Sequence, residues 1–124
     1  DLRPTSQLLG ATERAGHAIG SHGNSAGAFP FQGRLTQSIQ VLANERTLAA
    51  FAQAHPDGVV VEHPRKVDAQ AARYALLIQP FRSSWLVVWP AAALAELHGG
   101  TTPPEPVQSP QVYSADGGRV RMQP

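Results

Sequence analysis

The stretch most suggestive of chemistry is Gly20-Ser21-His22-Gly23-Asn24-Ser25-Ala26-Gly27, which follows a predicted strand. Backbone N–H groups in such turns cradle phosphates in nucleotide folds. The glycines are not spaced as G-x-G-x-x-G, and no Lys-Ser or Lys-Thr follows as in a P-loop. A plain connection out of a strand is therefore the simpler reading. If a nucleotide or sugar phosphate does bind there, Ser21, Asn24 and Arg34 are the polar contacts expected, with Arg82 as a fourth. The forked guanidinium of arginine suits phosphate, although Arg34 would serve equally as a surface ion-pair residue.

The five histidines are His17, His22, His55, His63 and His98. A helical metal site would use two of them at i and i+4, as in H-E-x-x-H. His17 and His22 are five apart across a strand-to-loop junction, and His55 and His63 each precede a proline at a turn. Solvated loop positions are expected for His55 and His63, and no metal and no cofactor are expected. Cysteine is absent, which removes thiolate zinc sites, disulfides and thiol catalysis together.

Ser21, Ser25, Ser83 and Ser84 read as loop hydroxyls, and none stands in a G-x-S-x-G elbow. Turn and capping roles are the usual ones for serine there. A small hydrolase using a loop serine is left as a third alternative, because a triad can assemble from distant residues. Asp57, Glu62, Asp68, Glu96 and Asp116 fall at turns or strand ends and read as solvated surface charge. Phe29, Phe31, Phe81, Trp85 and Trp89 read as core or sheet-packing groups before they read as a stacking platform.

The elements that would position these groups follow from local pattern. Thr5 or Ser6 is placed to cap a helix to about Arg14, with Leu8 and Leu9 inward and Gly10 weakening it. His17 to Gly20 reads as a short strand. Ala28 to Gln32 has room for a helical turn, which Pro30 keeps short. Ser38 to Leu42 alternates as a strand does, with Ile39 and Val41 on one face. Asn44 is a good N-cap for a helix with Leu48, Phe51 and Ala52 at helical spacing up to His55.

Pro56-Asp57-Gly58 is a turn before Val59-Val60-Val61, a β-branched run suited to burial on both faces. Ala69 to Ala72 is a short helical segment. Tyr74 to Ile78 and Trp85 to Trp89 flank residues 79–84 as an antiparallel hairpin with a long loop lacking glycine. Pro90 fits the first turn of a helix over Ala91 to Leu97, which Gly99-Gly100 stops. Residues 101–110 read as an extended linker. Val112 to Ala115 and Arg119 to Met122 then flank Asp116-Gly117-Gly118 as a late hairpin.

The order helix, strand, helix, strand, helix, strand, hairpin, helix predicts a layered α/β/α sandwich, Rossmann-like, with a small mixed sheet containing an antiparallel hairpin. A single α/β domain is expected over residues 1–100, with linker and hairpin over 101–124. The chain has 124 residues, 42% of them apolar, which suffices for one core without disulfides or metals. Ten cations against nine acids give a formal charge of +1. The arginines are scattered rather than gathered on one stripe, so no nucleic-acid partner is expected. The run from Trp85 to Leu97 is broken by Pro90 and Glu96, short of the about 20 apolar residues a spanning helix needs. Because the first residue is Asp1, an upstream portion of a larger protein is expected.

Three stretches carry a resemblance: residues 28–35 (Ala-Phe-Pro-Phe-Gln-Gly-Arg-Leu), 54–61 (Ala-His-Pro-Asp-Gly-Val-Val-Val) and 79–86 (Gln-Pro-Phe-Arg-Ser-Ser-Trp-Leu). Together they resemble the C-terminal soluble domain of bacterial lipid-linked glycosyltransferases such as the aminoarabinose transferase of lipid A. The likeness spans about Ile19 to Leu94. The Pro-Phe to Gly-Arg spacing is one residue shorter here, and His22-Gly23-Asn24-Ser25 replaces the Tyr-Asp-type residues that often precede it.

The resemblance implies a periplasmic domain at the inner membrane, tethered to missing transmembrane helices. It implies a parent that transfers sugar from a polyprenyl phosphate carrier to lipid A, another glycolipid or protein. No catalytic acid of that family maps onto this chain. The expected role is therefore non-catalytic, supporting the transferase or the binding of glycolipid or lipid-linked sugar. A free-standing Rossmann-like module binding a nucleotide or sugar phosphate through Gly20 to Gly27 is the alternative.

Overall fold

Two hydrophobic clusters lie on opposite faces of one mixed sheet, and strand alternation assigns residues to each. The computed structural model describes residues 2–23, 39–99, 106–107, 110–113 and 119–120. In chain order the elements are α1 (Arg3–Arg14), β1 (Ile19–His22), β2 (Gln40–Leu42), α2 (Glu45–Ala54), β3 (Val59–Glu62) and α3 (Ala69–Ala72). They continue with β4 (Leu77–Phe81), β5 (Ser84–Pro90), α4 (Ala91–Gly99), β6 (Gln111–Tyr113) and β7 (Arg119–Val120). The seven described strands run in the order β2-β1-β3-β5-β4-β6-β7. β1 pairs parallel with β2 and β3, β5 pairs antiparallel with β3 and β4, and β6 pairs parallel with β4. β1, β2, β3, β4 and β6 therefore all point their carboxyl ends to the same edge.

Val60 on β3, Ile78 on β4, and Val87 and Trp89 on β5 turn to one face, where Leu48 and Phe51 of α2 and Leu94 of α4 cover them. Val59, Val61, Leu77, Leu86 and Val88 turn to the other, under Leu9 of α1. Period two in the central strands thus feeds both cores at once, and the β-branched run of β3 is buried on both sides as expected. Each fully buried Leu or Val contributes roughly 1.5–3 kcal/mol relative to exposure. The three layers are the α/β sandwich read from the element order.

Several boundaries differ from the sequence reading. α1 begins at Arg3 with Pro4 in its first turn, and its N-cap Leu2 makes no side-chain cap bond. Thr5 is not a cap: it is fully buried, and both its N–H (3.0 Å) and its hydroxyl donate to the Gln79 side-chain oxygen on β4. Gln79 thereby satisfies one of the orphan donors of the helix start from 74 residues away. Gln79→Leu is expected to cost about 1–3 kcal/mol in urea denaturation, because two buried donors lose their acceptor. A change below a few tenths would show that α1 is not held there.

α2 has the predicted cap in full. Asn44 accepts from the Thr47 N–H while the Thr47 hydroxyl accepts from the Asn44 N–H, a reciprocal capping box. β2 is a three-residue edge strand. Ile39, just before it, is buried, but Val41 is 60% exposed because α1 packs across β1 and β4 and leaves the edge uncovered.

The β4–β5 hairpin closes more tightly than the sequence suggested. Gln79, Pro80 and Phe81 belong to β4 and Ser84 opens β5, so the turn is only Arg82-Ser83. Both residues take positive φ (49° and 64°), as a type I′ turn requires. Pro80 is tolerated because, among the described residues, β6 pairs with Leu77 and Ile78 and no strand lies beside that end of β4 on its other side.

The described parts of the C-terminal segment do not stand apart from the sheet. β6 and β7 pair antiparallel, as the late hairpin signal predicted, and β6 extends the sheet beyond β4. The expected turn over 28–32 lies outside the described residues. Among the described residues no helix is long and apolar enough to cross a membrane.

Candidate functional site

A polar cluster occupies the carboxyl-end edge of the sheet, assembled from residues far apart in sequence. On β1, Gly20 faces α2, where an added Cβ would come within 2.8 Å of Leu42 Cδ1 and 3.4 Å of Phe51. Alternation then turns His22 to that same face. On β3, Val60 faces α2 and α4, so Glu62 does too. The parallel register sets His22 directly beside Glu62. α4 starts beside Gly58 at the opposite edge, where the Ala91 N–H donates to the Gly58 carbonyl, and runs back to deliver His98 to the cluster.

Glu62 is the hub. Its Oε2 accepts from His22 Nδ1 at 2.7 Å, and its Oε1 accepts from the buried Trp89 indole N–H at 3.0 Å. His98 Nε2 lies 3.8 Å from Glu62 Oε2, while His98 Nδ1 lies 3.6 Å from Oε1 of Glu45, the first residue of α2. The two rings meet edge to face, with centroids 5.1 Å apart. Side-chain exposure is 13% for His22, 18% for Glu62 and 34% for His98, so the cluster opens to solvent on the His98 side. A carboxylate so placed is held by two donors at fixed angles, an arrangement suited to gripping a cation or passing a proton. Beside it, a cleft of about 490 Å³ runs between α2 and α4, floored by alanines and bordered by Glu45, Arg46 and His98.

The residues singled out from sequence fare differently. Ser21 belongs to β1 rather than to a loop; it is buried, and its hydroxyl has no hydrogen-bond partner among the described residues. It shares the face of Ile19, away from the His22 cluster. Arg82 is exposed at the hairpin turn on the same sheet edge, its guanidinium 5.0 Å from the Phe81 ring centroid. Asn24 and Arg34 lie outside the described residues, as do Gly27, Phe29 and Phe31. The structure therefore does not bring Ser21 and Arg82 into one pocket.

Two readings need correction. Glu62 is not a solvated surface charge: it is mostly buried and carries two charge-assisted hydrogen bonds. His63 and His55 are not free in solvent, because His63 packs on Phe81 and lies 3.3 Å from its carbonyl, and His55 packs on Phe51. The packing role expected of Trp85 and Trp89 is what the structure has.

The cluster escaped a search by spacing because its members are 40 and 36 positions apart. The only local sign was that both His22 and Glu62 close a strand. Comparison of the chain with protein-family models, with curated proteins and with solved structures finds no match.

Proposed function

We propose that this chain is a non-catalytic domain of a membrane glycosyltransferase that draws sugar from a polyprenyl phosphate carrier, and that it acts on the periplasmic side. The reading is supported by one observation above others: β1, β2, the capped amphipathic helix α2 and the β-branched β3 follow one another in a layered domain, within the stretch from Ile19 to Leu94 that carries the resemblance. Its role is to support the transferase or to help hold the glycolipid acceptor. The carboxyl-end edge, with His22, Glu62, His98 and Arg82, is the surface suited to that contact, since open α/β sheets bind ligands outside the carboxyl ends of their strands.

The coding sequence upstream of Asp1 is expected to contain about ten or more apolar spans of about 20 residues each. Its absence overturns the assignment. In the parent protein, removing this domain is expected to lower sugar transfer to the acceptor at least about tenfold, a loss of about 1.4 kcal/mol in transition-state stabilisation. Full activity without the domain would refute the acceptor role.

A further inference from the structure

We infer that His22, Glu62 and His98 form a binding site for one divalent transition ion of the zinc class. Each contributes one ligand atom, and the three atoms all lie within 4.8 Å of one another. Two imidazoles and one carboxylate are a ligand set that zinc takes in sites with an open fourth position. Imidazole nitrogens select transition ions over calcium or magnesium, which prefer all-oxygen shells.

The spacing is close to what an ion needs. Donors about 2.0–2.2 Å from a tetrahedral ion stand roughly 3.3 Å from one another. The His98 Nε2 to Glu62 Oε2 distance of 3.8 Å and the His22 Nδ1 to Glu62 Oε2 distance of 2.7 Å bracket that value. All three ligand atoms lie within 4.8 Å of one another, so side-chain rotations of the order of an ångström draw them onto a common ion. The ion replaces the hydrogen bond between His22 and Glu62, and the His22 ring then carries its proton on Nε2.

The surroundings are those of a metal site as well. Ligating groups are normally oriented by outer partners bound to their other atoms. Here the Trp89 indole N–H holds the second oxygen of Glu62, and the Glu45 carboxylate faces the second nitrogen of His98. Each lies beside the atom that the ion would not use, Trp89 through a hydrogen bond and Glu45 at 3.6 Å. A purely structural hydrogen-bonded pair would require neither His98 nor Glu45. His98, the most exposed of the three, also borders the cleft between α2 and α4, so water or an anionic oxygen can reach the ion from that side.

The experiment uses the full 124-residue chain, stripped with chelator and dialysed. Titration calorimetry with zinc is expected to give one ion per chain with micromolar or tighter affinity, and cobalt is expected to produce the intense visible absorption of a tetrahedral ion. His98→Ala, at a partly exposed helix end, is expected to weaken zinc binding by more than the about 10–100-fold typical of an outer partner, while Glu45→Ala loses about tenfold. His17→Ala is expected to bind as the unaltered chain does. Circular dichroism of each variant separates loss of binding from loss of fold. Glu62→Gln is expected to abolish saturable binding, and if it fails to fold, His98→Ala and the cobalt spectrum decide. No saturable binding, octahedral cobalt only, or unchanged affinity in His98→Ala would each overturn the site.

Discussion

Trp89→Ala is expected to destabilise the domain by about 3–5 kcal/mol, the range for truncating a buried aromatic. Trp89 is 4% exposed and packs among Leu48, Phe51, Val87 and Leu94 between the sheet and the α2–α4 layer. The truncation leaves a large cavity in a core whose walls belong to three elements, so little of it can collapse. It also removes the indole donor from Glu62. A domain of this size has about 5–15 kcal/mol in total, so the variant is expected to be partly unfolded at 37 °C.

Urea denaturation followed by circular dichroism measures the loss, with an unchanged m-value marking a pure stability effect. Trp89→Phe keeps a six-membered ring in the core while removing the donor and the rest of the indole, with an expected cost of about 1–3 kcal/mol. A loss under about 1 kcal/mol for Trp89→Ala would mean that this side chain is not where the structure has it.

Leu9→Ala is expected to cost about 2–5 kcal/mol. Leu9 is fully buried, and among the described residues α1 is the helix that covers the face formed by Ile19, Val59, Val61, Leu77, Leu86 and Val88. The opposite face shares its burden between α2 and α4. Because among the described residues no second helix stands beside α1, loosening it exposes much of that apolar face. Amide exchange is expected to lose protection first in α1 and β4, and later in α2. Equal loss everywhere with a stability change under 1 kcal/mol would contradict the docking of α1.

What could be read in the sequence was whatever depends on neighbours in the chain. Asn44 announced α2, Val59-Val60-Val61 announced β3, and Pro90 before an alanine run announced α4. The layered α/β class followed from their order. The hairpin turn was missed because Arg82 and Ser83 adopt positive φ without the glycine or asparagine that normally marks it. β1 was cut short because Gly20 and Ser21 have loop-forming residue types, yet close packing under Leu42 and Phe51 requires a glycine in that strand.

The site was illegible for a further reason. His22 and Glu62 meet through the register of a parallel pair, and His98 arrives by the length of α4. Neither quantity is encoded in local spacing. Ser21, singled out for its neighbourhood, turned out to face the α1 side of the same strand.

The tie between Thr5 and Gln79 also bears on how the chain matures during synthesis. Within this domain α1 is made before its acceptor, which follows 74 residues later at roughly 5–20 residues per second. For those seconds its greasy side has no permanent seat. The same partnership that anchors α1 in the finished domain leaves that helix waiting until β4 has been made.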